Sequence, residues 1–239
     1  MKKLGTLLVL CFAAIVAFAG TDSTAITTAP TPHKHKPYEW KVPKDRLVLD
    51  FLGTNWINKG ENGFKTRWYS RGFNFYFMYD LQIKKSRVSF AAGIGMSWVN
   101  IYNNSELLDS TGSGASFKVL PHYYDTVKIN KIVTTWIDIP LELRIRTNPD
   151  KLNQVWKFNV GIKFGIRVDA YTKTVTENPH LLIKKSPYPD FNLFRVGPTL
   201  RIGYSSFNIT GFYSLLGVFK SGRGPDMNEF SLGVSFNGL

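Results

Sequence analysis

Val155-Trp156-Lys157-Phe158-Asn159-Val160-Gly161-Ile162-Lys163-Phe164-Gly165-Ile166-Arg167-Val168-Asp169 is the stretch whose alternation decides the fold. Trp156, Phe158, Val160, Ile162, Phe164, Ile166 and Val168 fall on one side of an extended chain. Lys157, Asn159, Gly161, Lys163, Gly165, Arg167 and Asp169 fall on the other. A period of two is a β-strand with an apolar and a polar face. The glycines tell which face is crowded. A surface open to water has no use for residues without side chains, whereas the inside of a narrow barrel does. The polar face is therefore expected to point inward and the apolar face outward, against lipid.

Working outward from that strand, the same pattern recurs and predicts eight strands, near 46–56, 70–82, 87–101, 131–146, 155–169, 192–204, 207–219 and 228–237. In the second, Phe73, Phe75, Phe77, Tyr79 and Leu81 oppose Asn74, Tyr76, Met78 and Asp80. In the fourth, Ile137, Ile139, Leu141, Leu143 and Ile145 oppose Asp138, Glu142, Arg144 and Arg146. The runs reach the roughly 9–11 residues a tilted strand needs to cross a bilayer, and their number is even. Links after the second, fourth and sixth strands are short (83–86, 147–153 and Ser205-Ser206). Those after the other strands are longer, and 102–130 and 170–191 dominate. Short turns on one side and long loops on the other are the sidedness of an outer-membrane barrel. The fold class expected is all-β: an eight-stranded antiparallel up-and-down transmembrane β-barrel. Trp156, Tyr204 and Tyr79 are placed near its turn end, and Trp68, Trp98 and Tyr102 near its loop end, as two interfacial aromatic belts. Pro140 and Pro198 lie inside strands of a sheet without edges, which predicts local bulges there. Segment 103–118, rich in Asn, Ser and Gly, reads as a mobile part of the loop 102–130.

The N-terminus fits the same address. Lys2 and Lys3 precede an apolar run from Leu4 to Phe18, and Ala17-Phe18-Ala19 is followed by Gly20. A basic start, a short apolar core and a small-x-small end form a cleavable secretory signal over residues 1–19, with cleavage between Ala19 and Gly20. The single cysteine, Cys11, lies within it, which leaves residues 20–239 without thiol chemistry. Residues 20–44, with Pro30, Pro32, Pro37 and Pro43 and no periodicity, read as a flexible periplasmic linker ahead of a barrel domain at 45–239. His33-Lys34-His35-Lys36 in that linker has cationic neighbours and no acidic partner, so it makes a poor metal site. The formal charge is +13. A nucleic-acid partner is not expected, because the strand-borne lysines and arginines mostly point inward by parity and no basic run is interleaved with exposed aromatics. Attraction to anionic outer-membrane lipid accounts better for the excess.

Trp136-Ile137-Asp138-Ile139-Pro140-Leu141-Glu142-Leu143-Arg144 resembles the aromatic-x-acid-Ile-Pro-Leu-x-Leu-Lys/Arg signature of the Bacteroidota outer-membrane β-barrel domain family often called PorT-like. The Phe158–Gly165 and Phe230–Phe236 strands are similar to that family's later strands. The likeness covers about residues 45–239. It implies a signal-bearing, eight-stranded outer-membrane protein; one named member serves a secretion apparatus that exports proteases.

Parity directs Asp50, Asp80, Asp138, Glu142, Asp169 and Glu229 inward, with Arg144, Lys157, Lys163, Arg167, Arg195 and Arg201. An unpaired charge in so narrow a lumen is costly, so these acids and bases are expected to pair into a closed interior network. The function read from this is a small non-enzymatic outer-membrane protein, expected to be a monomer, without cofactor or metal. Loops 102–130 and 170–191 are displayed for structural, adhesion or secretion-assembly roles. One alternative is a narrow anion pore lined by Arg167, Arg195 and Arg201. Another is a lipid A-modifying enzyme, for which a His122–Asp125 pair near Ser116 is the one arrangement that can be drawn; no nucleophile motif accompanies it. A soluble lipocalin-like barrel with the apolar face inside is the third. It is disfavoured because that many large side chains do not fit within eight strands.

Overall fold

Each alternating run finds its hydrogen-bond partners in the next run along the chain. The computed structural model describes residues 46–58, 63–84, 86–110, 114–119, 127–150, 154–176, 182–185 and 189–238. The strands are β1 (Leu47–Asn58), β2 (Arg71–Gln82), β3 (Val88–Tyr102), β4 (Ser105–Ser110), β5 (Gly114–Val119), β6 (Val127–Arg146), β7 (Trp156–Thr176), β8 (Leu182–Lys185), β9 (Phe194–Tyr204), β10 (Phe207–Gly217) and β11 (Met227–Asn237). Eight of them form an antiparallel ring in the order β1-β2-β3-β6-β7-β9-β10-β11. The ring closes where β1 meets β11, from Val48↔Asn237 to Asn58↔Met227. The proposed signal with Ala19 and Gly20, the linker and its histidines, and His122, Asp125 and His180 lie outside the described residues.

Exposure decides which face is which. Phe77, Ile94 and Ile209 on the apolar faces are 57%, 57% and 58% exposed, whereas Asp138 and Arg144 on the polar faces are fully buried. The greasy groups clothe the ring and the ionic ones fill it, which overturns the lipocalin arrangement. Two of the short reversals use left-handed backbone, at Lys84 (φ 55°) and Ser205 (φ 56°). Ser205-Ser206 forms a two-residue hairpin connection with Tyr204 and Phe207 directly paired. Beside it Trp156 packs on Tyr204, ring centres 5.4 Å apart. At the other end Tyr69 meets Tyr102 at 4.9 Å and Trp98 stacks on Phe73 at 5.8 Å, so aromatic groups mark both rims.

Several expectations are corrected. Neither proline creates a bulge. At Pro140 the β3–β6 register is the same on both sides, and only the pairing of Gly93 and Ile94 with Pro140 and Ile139 is missing, since proline has no N–H to give. Pro198 sits where the β9–β10 ladder stops, after Thr199↔Phe212. Register shifts instead occur at Val127/Ile129, at Thr135/Trp136 against β7, and at Tyr213/Gly217 against β11. The segment read as a mobile stretch of loop contains a hairpin, β4 paired with β5 from Ser105↔Val119 to Ser110↔Gly114. The loop read as 170–191 is partly strand: β7 runs on to Thr176 and β8 pairs with it over Thr172–Val175. At about 3.3 Å per residue, β6 and β7 (20 and 21 residues) are roughly twice as long as a bilayer crossing requires. Their loop ends therefore carry the sheet beyond the membrane.

Candidate functional site: a charged lumen beneath an aromatic cap

The lumen is filled by two linked groups of ions. In the one nearer the loops, Arg195 from β9 reaches across to Asp138 on β6. Its Nη2 donates to Asp138 Oδ2 at 2.6 Å and its Nε to Oδ1 at 3.1 Å, while Nη1 donates to Glu229 of β11 at 3.0 Å. Asp138 also accepts from Tyr76 Oη at 3.1 Å and from Ser97 Oγ. Lys163 Nζ lies 3.9 Å from the same carboxylate and 3.6 Å from the centre of the Phe212 ring. Arg195 is backed by Trp136, whose ring centre is 4.5 Å from the guanidinium carbon. Every oxygen of a buried carboxylate needs donors if the charge is to persist away from water. Asp138 is met by groups from four other strands: β2, β3, β7 and β9.

In the group nearer the turns, Arg201 donates to both oxygens of Asp50, at 3.0 and 3.1 Å, and to Glu142. Asn74 adds a bond to Asp50 at 3.1 Å. Arg144 bridges Glu142 (2.9 Å) and Asp80 (3.0 Å), and Arg146 binds Asp80 (2.8 Å) and Ser89 (2.6 Å). Lys157 is buried at the turn end of the same face. Glycines make this density possible. A Cβ on Gly165 would stand 2.3 Å from Asp138 Oδ1 and 2.8 Å from Arg195 Cγ. Two small voids lie among the described lumen residues: one of about 10 Å³ beside Asp50, Asn74, Glu142 and Arg201, and another of about 10 Å³ beside Trp136, Arg195 and Glu229. Each has room for about one water molecule.

Above the ions sits a hydrophobic cap. Trp56, Phe64, Val99, Ile101, Leu107, Ala115, Ile132, Trp136, Ala170, Phe191, Phe219 and Met227 form one buried cluster. Phe191 and Phe219 are 4.8 Å apart, and Trp56 lies 6.0–6.4 Å from Phe64, Phe191 and Phe219. Leu107 and Ala115 place the β4–β5 hairpin against this cluster.

Of the twelve charged residues expected in the lumen, Asp50, Asp80, Asp138, Glu142, Arg144, Lys163, Arg195, Arg201 and Glu229 meet in these two groups, and Lys157 is buried with them. Two depart. Asp169 is exposed: the β7 bulge at Arg167–Asp169 inserts one residue opposite Thr135/Trp136, so beyond it the parity reverses and Ala170 faces inward. Arg167 is half-buried and binds no acid of the network; it donates to the carbonyls of Asn192 (3.0 Å) and Phe191 (3.2 Å), holding the segment before β9. Arg146, Tyr76, Ser97 and Trp136 belong to the site although they were not singled out for it. For all four the signal is inward parity. The anion-path arginines do not line up as a ring, since Arg195 and Arg201 are each held between two carboxylates. Of the drawn catalytic group only Ser116 is among the described residues, exposed on β5. Among the described residues no three of histidine, cysteine, aspartate or glutamate are grouped as a metal ion would need.

No curated protein matches the sequence. Two solved structures of Ail, the attachment invasion locus protein of Yersinia pestis, are similar. One is 11% identical, covering 80% of this chain and 95% of that one with a TM-score of 0.32. The other, a complex with the heparin analogue sucrose octasulfate, is 9% identical, covering 80% and 96%, with a TM-score of 0.33. A family model described as an outer membrane protein beta-barrel domain matches residues 50–221, which takes in every barrel strand except β11. With that match, the closed eight-stranded ring and its apolar exterior, the chain belongs to the outer membrane protein beta-barrel domain family and resides in the outer membrane.

Proposed function

We propose that this protein is a closed, non-conducting and non-enzymatic barrel whose ion-paired interior serves as a rigid base for the extended strands and loops on its outer side. The observation that carries this reading is the bracketing of Arg195 and Arg201 by pairs of carboxylates beneath a continuous aromatic cap. A conducting pore needs mobile water and uncommitted charge; a barrel built for structure spends its charges on one another. The displayed parts are the β4–β5 hairpin, the loop ends of β6 and β7, and the segment around β8. Their partners would be other envelope proteins, met by a monomeric barrel in an adhesion, membrane-integrity or secretion-assembly role. The Trp136–Arg144 signature supports placing the chain in the PorT-like branch, with residues 1–19 as a signal cleaved between Ala19 and Gly20.

Planar-bilayer recording with the purified protein tests the closed interior. Silent membranes at protein densities that give steady unit currents with an open porin are expected. Reproducible unit conductance would replace this reading with a pore.

A further inference from the structure

Beyond the apolar belt, one wall of the barrel carries an outward row of cations. Tyr102 on β3 is directly opposite Lys131 on β6, Lys131 is opposite Lys173 on β7, and Lys173 is opposite Lys184 on β8. Residues paired in this way share a face, on strands about 4.8 Å apart. Like charges set directly opposite one another are destabilising, yet three lysines stand in succession. No carboxylate pairs with Lys131, Lys173 or Lys184 among the described residues. Asp169, the outward acid of β7, lies four residues further toward the membrane and forms no ion pair with them. The row is held rather than floppy. Lys131 Nζ donates to Asn100 Oδ1 at 2.9 Å, and Lys184 Nζ sits 4.1 Å from the centre of the Tyr171 ring. Arg71 extends the row on β2, its guanidinium 5.7 Å from the Tyr102 ring.

The opposite wall differs. No lysine or arginine of β1, β9, β10 or β11 faces outward; Asn55, Ile57, Phe194, Leu215 and Phe230 take the corresponding outer positions. Val133 and Thr135 are the only outward residues of β6 between Lys131 and the exposed Ile137 of the lipid belt, which sets the row at headgroup level on the loop side. A patch that costs repulsion when empty, lies at that height and is confined to one wall is matched by a lipid bearing several phosphates. We infer that Arg71, Lys131, Lys173 and Lys184 seat the headgroup of a phosphorylated glycolipid of the outer leaflet. The lysines bind its phosphates and Tyr102 and Tyr171 lie against its sugars.

Native mass spectrometry of the full-length protein in detergent tests this, with bisphosphorylated lipid A as probe and the same glycolipid after enzymatic dephosphorylation as comparison. Wild-type protein is expected to retain one bisphosphorylated molecule and to lose it when the phosphates are removed. Equal retention of both forms overturns the seat without recourse to any variant. The triple variant Lys131→Gln, Lys173→Gln, Lys184→Gln relieves repulsion and should fold, as heat-modifiable gel mobility will tell. Its affinity is expected to fall about a hundredfold, at roughly fivefold for each lysine near a charged lipid surface; unchanged affinity in the folded variant overturns the assignment. Millimolar inorganic phosphate should not displace the glycolipid. If it does, the site takes free phosphate and the lipid seat is wrong.

Discussion

Gly165 illustrates how a residue without a side chain can define an ionic site. Because a Cβ there would lie 2.3 Å from Asp138 Oδ1 and 2.9 Å from Arg195 Nε, Gly165→Ala must push the bidentate pair apart. Overpacking of this kind costs about 1–3 kcal/mol. Gly211 is the control, since its Cβ would meet nothing closer than 3.8 Å, and Gly211→Ala should change stability by no more than about 0.5 kcal/mol. Urea unfolding in lipid vesicles measures both; equal effects would refute the crowding at Gly165. Asp138→Ala is the harsher change. It leaves Arg195 with Glu229 alone, takes from Lys163 the carboxylate it pairs with, and strips Tyr76 and Ser97 of their acceptor. A buried pair broken on one side loses about 3–5 kcal/mol, so the same unfolding midpoints should drop well below those of Gly165→Ala. Ten of the twelve lumen charges were legible at this scale because inward parity needs nothing but position along a strand. Who pairs with whom was not legible. Arg195 meets Asp138 across 57 residues of sequence, and it is the register of β6 and β9 on either side of Gly165 in β7 that brings them together.

At the scale of the strand, a period of two is readable and an insertion into it is not. Asp169 departs from the expected inward face because one extra residue in β7 against Thr135/Trp136 reverses every side chain beyond it, and no glycine or proline marks the spot. The prolines that do stand out, Pro140 and Pro198, interrupt ladders without shifting register. The β4–β5 hairpin is illegible in the sequence for a related reason. Its strands are only six residues long and mix polar with apolar residues, and Leu107, Ala115 and Phe117 acquire meaning only against the cap. The membrane-crossing part of β7 allows a direct test of orientation. Ile162 faces out, paired with Leu141 and Pro198, and its neighbour Lys163 is buried against Asp138 and Phe212. Ile162→Arg should cost about 2–4 kcal/mol in bilayers and much less in detergent, where an arginine can reach water. Lys163→Ile alters a site surrounded by protein in either medium, so its cost should be the same in both. Swapped behaviour of the two variants in paired refolding titrations would reverse the assignment of faces.

For the molecule as a whole, closure is achieved twice, by ions at mid-barrel and by aromatic packing above, and the two layers draw on different parts of the chain. The ionic layer comes entirely from barrel strands: β1, β2, β3, β6, β7, β9 and β11. The cap also recruits residues between strands, such as Phe64, Phe191 and Phe219, and the hairpin residues Leu107 and Ala115. Replacing residues 105–119 with a short glycine-serine link should therefore leave the ring intact, because neither the β1–β11 nor the β6–β7 ladder involves the hairpin. Heat-modifiable mobility on gels should persist. The loss should appear in the cap: Trp56, now 3% exposed and stacked on Phe64, which itself packs on Phe117 at 4.2 Å, should gain access to water, raising acrylamide quenching of the tryptophan emission. Bilayers holding the shortened protein should stay silent, because the charged layer beneath is untouched. Current through that variant would mean that the hairpin, rather than the ion pairs, closes the barrel, and the lumen charges would then need a role other than sealing it.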